Sequence, residues 1–227
     1  AGRVFVEMLD AQAPAFDAAR PELMLRPGRS QRVDRETLAR STVVCGCGGG
    51  DAVRAVLPTL LSGSARLVLD ADALNAIAAD EALRRQLRAR AGRDQATVLT
   101  PHPLEAARLL GVDSTQVQAD RLASARRLAD DCACVVVLKG SGSVIAAPDR
   151  APCINASGDA SLASAGTGDV LAGWLGGHWA QRDEADANER AWHAARHAVW
   201  WHGAAAEVAA RPVLRAAELI EEMAARR

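Results

Sequence analysis

The sequence predicts an α/β fold, with a mostly parallel sheet covered by helices on both faces. Two observations predict it. Short β-type runs alternate with longer helical segments along the chain, and the runs are apolar at successive positions, as strands buried on both faces must be. Size agrees, because 227 residues can bury one sizeable core without disulfides or metal.

The expected strands are residues 4–6, 41–45, 66–70, 97–100 and 134–138. Between them, helical stretches are expected over 52–61, 73–90, 103–110 and 114–130. A late hairpin is expected from 142–147 and 151–154, turning at Pro148-Asp149. From Gly168 onward the chain reads as almost wholly helical, ending in the amphipathic stretch 213–227. No linker, repeat or low-complexity segment interrupts residues 1–227, so one domain is expected.

Composition narrows the function. The chain is 49% hydrophobic and 24% charged with a formal net charge of -1, which supplies no electrostatic attraction for nucleic acid or an anionic membrane. Gly2-Arg3-Val4-Phe5-Val6 reads as a strand, not as a charged leader before an apolar run. The five cysteines are an odd number, and a reducing, cytoplasmic location is expected. Cys45/Cys47 and Cys132/Cys134 have Cys-x-Cys rather than Cys-x2-Cys spacing, so they read as buried or incidental thiols rather than zinc ligands. His193 and His197 stand four apart without metal-site context. Trp192, Trp200 and Trp201 read as helix-packing residues.

In open α/β sheets ligands bind beyond the carboxyl ends of the strands. The residues there are Gly46-Cys47-Gly48-Gly49-Gly50, Asp70-Ala71-Asp72, Thr100-Pro101-His102-Pro103 and Lys139-Gly140-Ser141-Gly142. The loop Ala165-Gly166-Thr167-Gly168-Asp169-Val170 adds glycines at an expected helix start, where unpaired N–H groups favour an anion. Gly166, Thr167 and Gly168 form the expected anion hole. Asp169 beside it is either a general base on a hydroxyl next to a phosphate or a helix cap. Lys139, Gly140, Ser141, Gly142 and Ser143 suit phosphate contact, with a solvated lysine at a turn as the alternative. His102 is held stiffly between two prolines. The glycine-rich run 46–50 matches neither a Walker loop nor Gly-x-Gly-x-x-Gly, and Asn155-Ala156-Ser157-Gly158-Asp159 reads as a polar turn.

Four segments together carry a resemblance. Asp70-Ala71-Asp72-Ala73-Leu74-Asn75, Thr100-Pro101-His102-Pro103-Leu104-Glu105, Val137-Leu138-Lys139-Gly140-Ser141-Gly142 and Gly166-Thr167-Gly168-Asp169-Val170-Leu171 resemble the ADP-dependent NAD(P)H-hydrate dehydratases. These belong to the ribokinase-like superfamily, a three-layer sandwich. The resemblance implies that Gly48, His102 and Asp169 bind the hydrated dinucleotide, and that Lys139 to Ser143 with Gly168 bind the adenine nucleotide. By the same resemblance, Asp169 matches the residue that faces the reacting hydroxyl. It further implies ADP (or ATP) as co-substrate, an accompanying Mg2+ whose ligands the sequence does not name, and a homo-oligomer.

The chain departs from the family pattern in several places. Cys47 stands where proline is usual, Leu104, Ser161 and Ala165 where glycine is usual, and Asp159 where asparagine is usual. A first strand, glycine loop and helix usual in the family would precede Gly2, and in many bacteria an epimerase domain is fused ahead of the dehydratase. Two other readings share the Gly166 to Asp169 loop: a small-molecule kinase of the same superfamily, and a non-catalytic nucleotide sensor.

Overall fold

The computed structural model describes residues 2–10, 12–27, 34–184 and 186–225. Two strands open the chain, β1 (Phe5–Met8) and β2 (Met24–Pro27), followed by α1 (Arg35–Arg40). Then come β3 (Thr42–Cys45), α2 (Val53–Gly63), β4 (Arg66–Leu69), α3 (Ala71–Ala78), α4 (Glu81–Arg88) and β5 (Ala96–Leu99). After α5 (Pro103–Leu110), α6 (Ser114–Ala119) and α7 (Arg121–Cys132), β6 (Val135–Leu138), β7 (Val144–Ala146) and β8 (Cys153–Ile154) complete the strands. Three helices end the chain: α8 (Thr167–Trp179), α9 (Ala187–Ala209) and α10 (Ala216–Ala225).

Strands β3 to β8 form one sheet in sequence order, parallel from β3 through β6 and antiparallel for β7 and β8. Strands β1 and β2 pair in parallel as a separate two-stranded ladder. The expected strand at 4–6 is thus β1, displaced towards its C-terminal side, while β2 and α1 were not expected. The short run at β2 carries Arg26 and ends in Pro27, so it lacks the continuous apolar signal of a central strand.

Period-two alternation divides the core. Leu67, Leu69, Leu99, Val136 and Leu138 face α2 through α7, while Val68, Val98, Val135 and Val137 face α8 and α9. All four residues of β5 and of β6 are buried, which explains the unbroken apolar run of β6; in β5 the one polar residue, Thr97, is also buried. The α8 helix lies close on the sheet edge, since a Cβ at Gly176 would come within 2.4 Å of Val44 Cγ2.

Two expected helices are each divided. Asp80 interrupts 73–90, its Oδ1 accepting from the Ala82 N–H at 2.8 Å to start α4. Asp120 interrupts 114–130 in the same way, accepting from the Ala123 N–H at 2.9 Å to start α7. Apolar periodicity continues through both breaks, so only the capping aspartates betray them. The last expected amphipathic stretch is α10, and residues 226–227 lie outside the described residues. Among the described residues no helix is long and apolar enough to cross a membrane.

Arginine closes several helix ends. Arg84 donates to the carbonyls of Ile77, Ala78, Arg108 and Leu109, where α3 and α5 finish. Arg90 is 1% exposed and donates to Thr97 Oγ1 (2.7 Å) and to the carbonyls of Leu61 (2.8 Å), Ser64 (2.9 Å) and Ala96 (3.2 Å). Burial lowers its pKa to about 10, so it still carries its charge at neutral pH. Replacing Arg90 by leucine would leave those buried carbonyls unpaired and is expected to lower unfolding stability by about 2–4 kcal/mol. Lysine, lacking the planar fork, is expected to restore only part of it. Urea unfolding of both variants checks this; a Leu variant within about 0.5 kcal/mol of wild type, the range of an inert surface change, would refute it.

Candidate active site

The carboxyl ends of β3 to β6 gather the polar residues. Asp70 follows β4 and is 1% exposed; Lys139 follows β6, and its Nζ lies 2.7 Å from Asp70 Oδ1. Strand β5 runs between β4 and β6, so this ion pair spans the end of the central strand. Backbone bonds extend the ladder past the strands, from the N–H of Asp70 to the Cys45 carbonyl (3.0 Å) and from that of Lys139 to the Pro101 carbonyl (2.8 Å).

The glycine loop after β3 is built against this point. Gly46 has φ of +123°, and a Cβ there would fall 1.8 Å from the Asp70 carbonyl oxygen. Only glycine fits both demands. Asp72 Oδ2 accepts from the Gly50 N–H at 2.8 Å and braces the far end of the loop. Ala71, between the two aspartates, is itself held at φ +44°, a left-handed conformation that costs an alanine about 1 kcal/mol.

The α8 start lies across from these residues. Gly166 is its N-cap at φ +84° and makes no side-chain cap bond, so Asp169, third in the helix, is not the cap. Thr167 is committed within the turn: its hydroxyl lies 2.7 Å from the Leu162 carbonyl and 2.8 Å from that of Ser164, and its N–H is 3.4 Å from the latter. The open donors of this helix start are therefore the N–H groups of Gly168 and Asp169. A Cβ on Gly168 would stand 3.4 Å from Lys139 Nζ, so the ammonium and the helix start share one small volume. Exposed Asp169 borders it.

Cys47 belongs to this cluster, contrary to its reading as an incidental thiol. Its Sγ and carboxylate oxygens of Asp70 and Asp169 all lie within 4.8 Å of one another. Desolvation first, then the charges of Asp70 and Asp169 and a hydrogen bond to Asp169, push the thiol pKa up to about 12, with Lys139 opposing. The thiol is therefore a donor to Asp169 rather than a nucleophile.

The other expected residues are arranged around this centre. Gly48 is exposed at φ +61°, with open space where a side chain would be. His102 is the N-cap of α5: its Nδ1 accepts from the N–H groups of Leu104 (3.1 Å) and Glu105 (3.3 Å), while Glu105 Oε2 accepts from the His102 N–H at 2.8 Å. Accepting at Nδ1 fixes the proton on Nε2, which lies 3.2 Å from Glu105 Oε1. The loop from Lys139 to Ser143 is gripped by Arg121, whose guanidinium donates to the carbonyls of Ser141, Leu138 (3.2 Å) and Lys139 (3.3 Å). Asp159 is bonded by the Ser161 hydroxyl and N–H, which lower its pKa and hold its charge locally. His193 and His197 meet different partners, Glu189 (3.5 Å) and His178 (2.9 Å). Trp201 stacks on Trp174, and Trp192 is buried beneath Arg150.

A family model described as NAD(P)H-hydrate dehydratase matches residues 1–224. The chain belongs to this family. It is 41% identical over 196 residues to the ADP-dependent (S)-NAD(P)H-hydrate dehydratase of Neisseria meningitidis, covering 86% of this chain and 62% of that relative. It is 35% identical over 185 residues to the bifunctional NAD(P)H-hydrate repair enzyme Nnr of Coxiella burnetii, covering 80% of this chain and 36% of that one. The chain thus spans under two thirds of these relatives. A solved ADP/ATP-dependent NAD(P)H-hydrate dehydratase from Bacillus subtilis, co-crystallised with ATP and Mg2+, superposes with a TM-score of 0.70 at 27% identity, covering 91% of this chain and 71% of that one. The three-layer architecture expected for the family is the one observed.

A thiol pKa near 12 rather than 9 leaves about a thousandfold less thiolate at pH 8. Iodoacetamide is accordingly expected to label Cys47 far more slowly than an ordinary exposed thiol, and Asp169→Asn, which removes one raising charge, should speed it. Peptide mass spectrometry over time checks both; labelling at the ordinary rate in wild type would contradict the assigned environment.

Proposed function

We propose that the protein performs the ADP-dependent dehydration of hydrated NADH or NADPH, returning the intact dinucleotide with AMP and phosphate. One observation carries the proposal beyond family membership. A solvent-reachable carboxylate, Asp169, stands at a helix start with open N–H donors, and Lys139 reaches the same point. An anion with a hydroxyl beside it is what such a site would accept.

Loss of water from the hydrate is slow because hydroxide leaves poorly. In the proposed reaction the C6 hydroxyl oxygen attacks the terminal phosphoryl group of ADP while Asp169 accepts its proton, and AMP departs. The N–H groups of Gly168 and Asp169 stabilise the phosphoryl oxygens. The ring nitrogen's electron pair then expels phosphate from C6, loss of a ring proton restores the double bond, and NADH or NADPH results. Lys139, held by Asp70, contributes positive charge at the phosphates. Gly48 and His102 are assigned to the dinucleotide, and Lys139, Gly140, Ser141, Gly142, Ser143 and Gly168 to the adenine nucleotide.

Magnesium does not find a prepared cage in this donor set. Asp70 already pairs with Lys139, and Cys47 offers a protonated thiol where Mg2+ requires oxygen. The ion is assigned to nucleotide phosphates and water. The proposal extends to a homo-oligomer in the cytoplasm, and to fusion with an epimerase domain, which the bifunctional name of the Coxiella relative supports.

Incubation with hydrated NADH and ADP, following the dihydronicotinamide absorbance band, tests the reading. A rise that requires ADP and matches AMP and phosphate release is expected, and Asp169→Asn should slow it by about 10²–10⁴-fold, as for loss of a general base. Near-normal turnover of that variant would remove Asp169 from its role. A stable phosphorylated product would instead indicate a kinase, and nucleotide binding without turnover a sensor.

A further inference from the structure

One of the two open donors at the α8 start, the Gly168 N–H, depends on how its peptide unit is held. The carbonyl of Thr167 and the N–H of Gly168 belong to the same planar trans peptide, so they point in opposite directions. Any group fixing the carbonyl on one side aims the N–H on the other. His202 of α9 is such a group, added to the helix's own bonding: its Nε2 lies 2.9 Å from the Thr167 carbonyl oxygen, and the residue is 8% exposed. A carbonyl only accepts, so Nε2 must carry the proton.

The ring is kept neutral by its setting. Burial lowers its pKa, the nearby Lys139 charge adds to that, and the bond to Thr167 opposes both. Its helix is also locked to the loop ahead of the site. A Cβ at Gly203 would come within 2.6 Å of the Ser157 backbone, Ser157 Oγ donates to the Trp200 carbonyl at 2.8 Å, and Glu207 Oε1 accepts from the Gly158 N–H at 2.8 Å. The histidine is thereby delivered to Thr167 at a fixed height.

We infer that His202 is a positioning residue for phosphate recognition: through its bond to the Thr167 carbonyl it orients and polarises the Gly168 N–H towards the terminal phosphoryl group of the nucleotide. It touches neither substrate. The inference rests on the dehydratase reading for the identity of that nucleotide, and it predicts an effect confined to the phosphate that AMP lacks.

Calorimetric affinities for ADP and AMP test it. His202→Leu is expected to weaken ADP binding about tenfold, the loss of one hydrogen bond, while AMP changes by less than about twofold. His202→Gln, which keeps an N–H donor at similar reach, should restore most of the difference. Equal weakening of both nucleotides in the Leu variant, or no change in either, would overturn the positioning role. Should the Leu variant not fold, ring nitrogen-15 spectra of the wild type still decide: the Nε2–H tautomer is required, and an Nδ1–H ring overturns the inference. If the wild type binds ADP but regenerates no NADH, the dehydratase reading fails while the ADP-against-AMP comparison still decides the role of His202.

Discussion

Asp70 emerges from the middle of a parallel sheet into a setting almost closed to water, and its charge is met by Lys139 at 2.7 Å. Much around the site follows from that pairing. Neither group is solvated well enough to stand alone, and removing one partner of a buried pair of this kind costs about 3–5 kcal/mol. The pair fixes the ends of β4 and β6 relative to each other. It also requires Gly46 in the neighbouring loop, because the Asp70 carbonyl occupies the space of any Cβ there. Lys139, held on one side by Asp70, presents its ammonium to Gly168 on the other. A single electrostatic constraint thus joins three strand ends to the start of α8.

The surrounding frame uses arginine to solve a recurring problem. Short helices leave carbonyls unpaired at their C-terminal ends, and buried carbonyls must find donors. Arg84 closes α3 and α5, Arg88 donates to the Asp131 carbonyl in α7, and Arg66 donates to the Arg40 carbonyl ending α1. Arg121 does the same for the irregular segment after β6, which has no helix to supply its bonds. Each guanidinium brings several donors in one plane, which lysine cannot do. The abundance of arginine therefore serves backbone satisfaction as much as surface charge.

The site was partly legible in the sequence. Glycines, carboxylates and a lysine after apolar runs mark strand ends, and the glycines of Gly166 to Asp169 before a helical run mark a helix start, where Gly166 takes the left-handed N-cap. What the sequence concealed were contacts across long separations. Cys47 meets Asp169 across the loop, Arg121 reaches Ser141 from the preceding helix, and His202 reaches Thr167 from the following one. None has a local signal, because the partners lie far apart in the chain and no spacing rule links them. His102 shows the reverse case: its capping-box partner Glu105 is three residues away and could be found from spacing alone.

By itself the sequence determined the alternation of strand and helix, the parallel character of the central sheet and the strand-end location of the chemistry. These depend on local periodicity and on the handful of residues able to leave a strand or begin a helix. The tertiary structure decided where the expected helices at 73–90 and 114–130 divide, since capping by Asp80 and Asp120 competes with continued helix and packing settles the outcome. It also decided that α9 would carry His202 to the carbonyl side of the Thr167–Gly168 peptide. Such a placement is a property of two helices packed together, and neither helix encodes it alone.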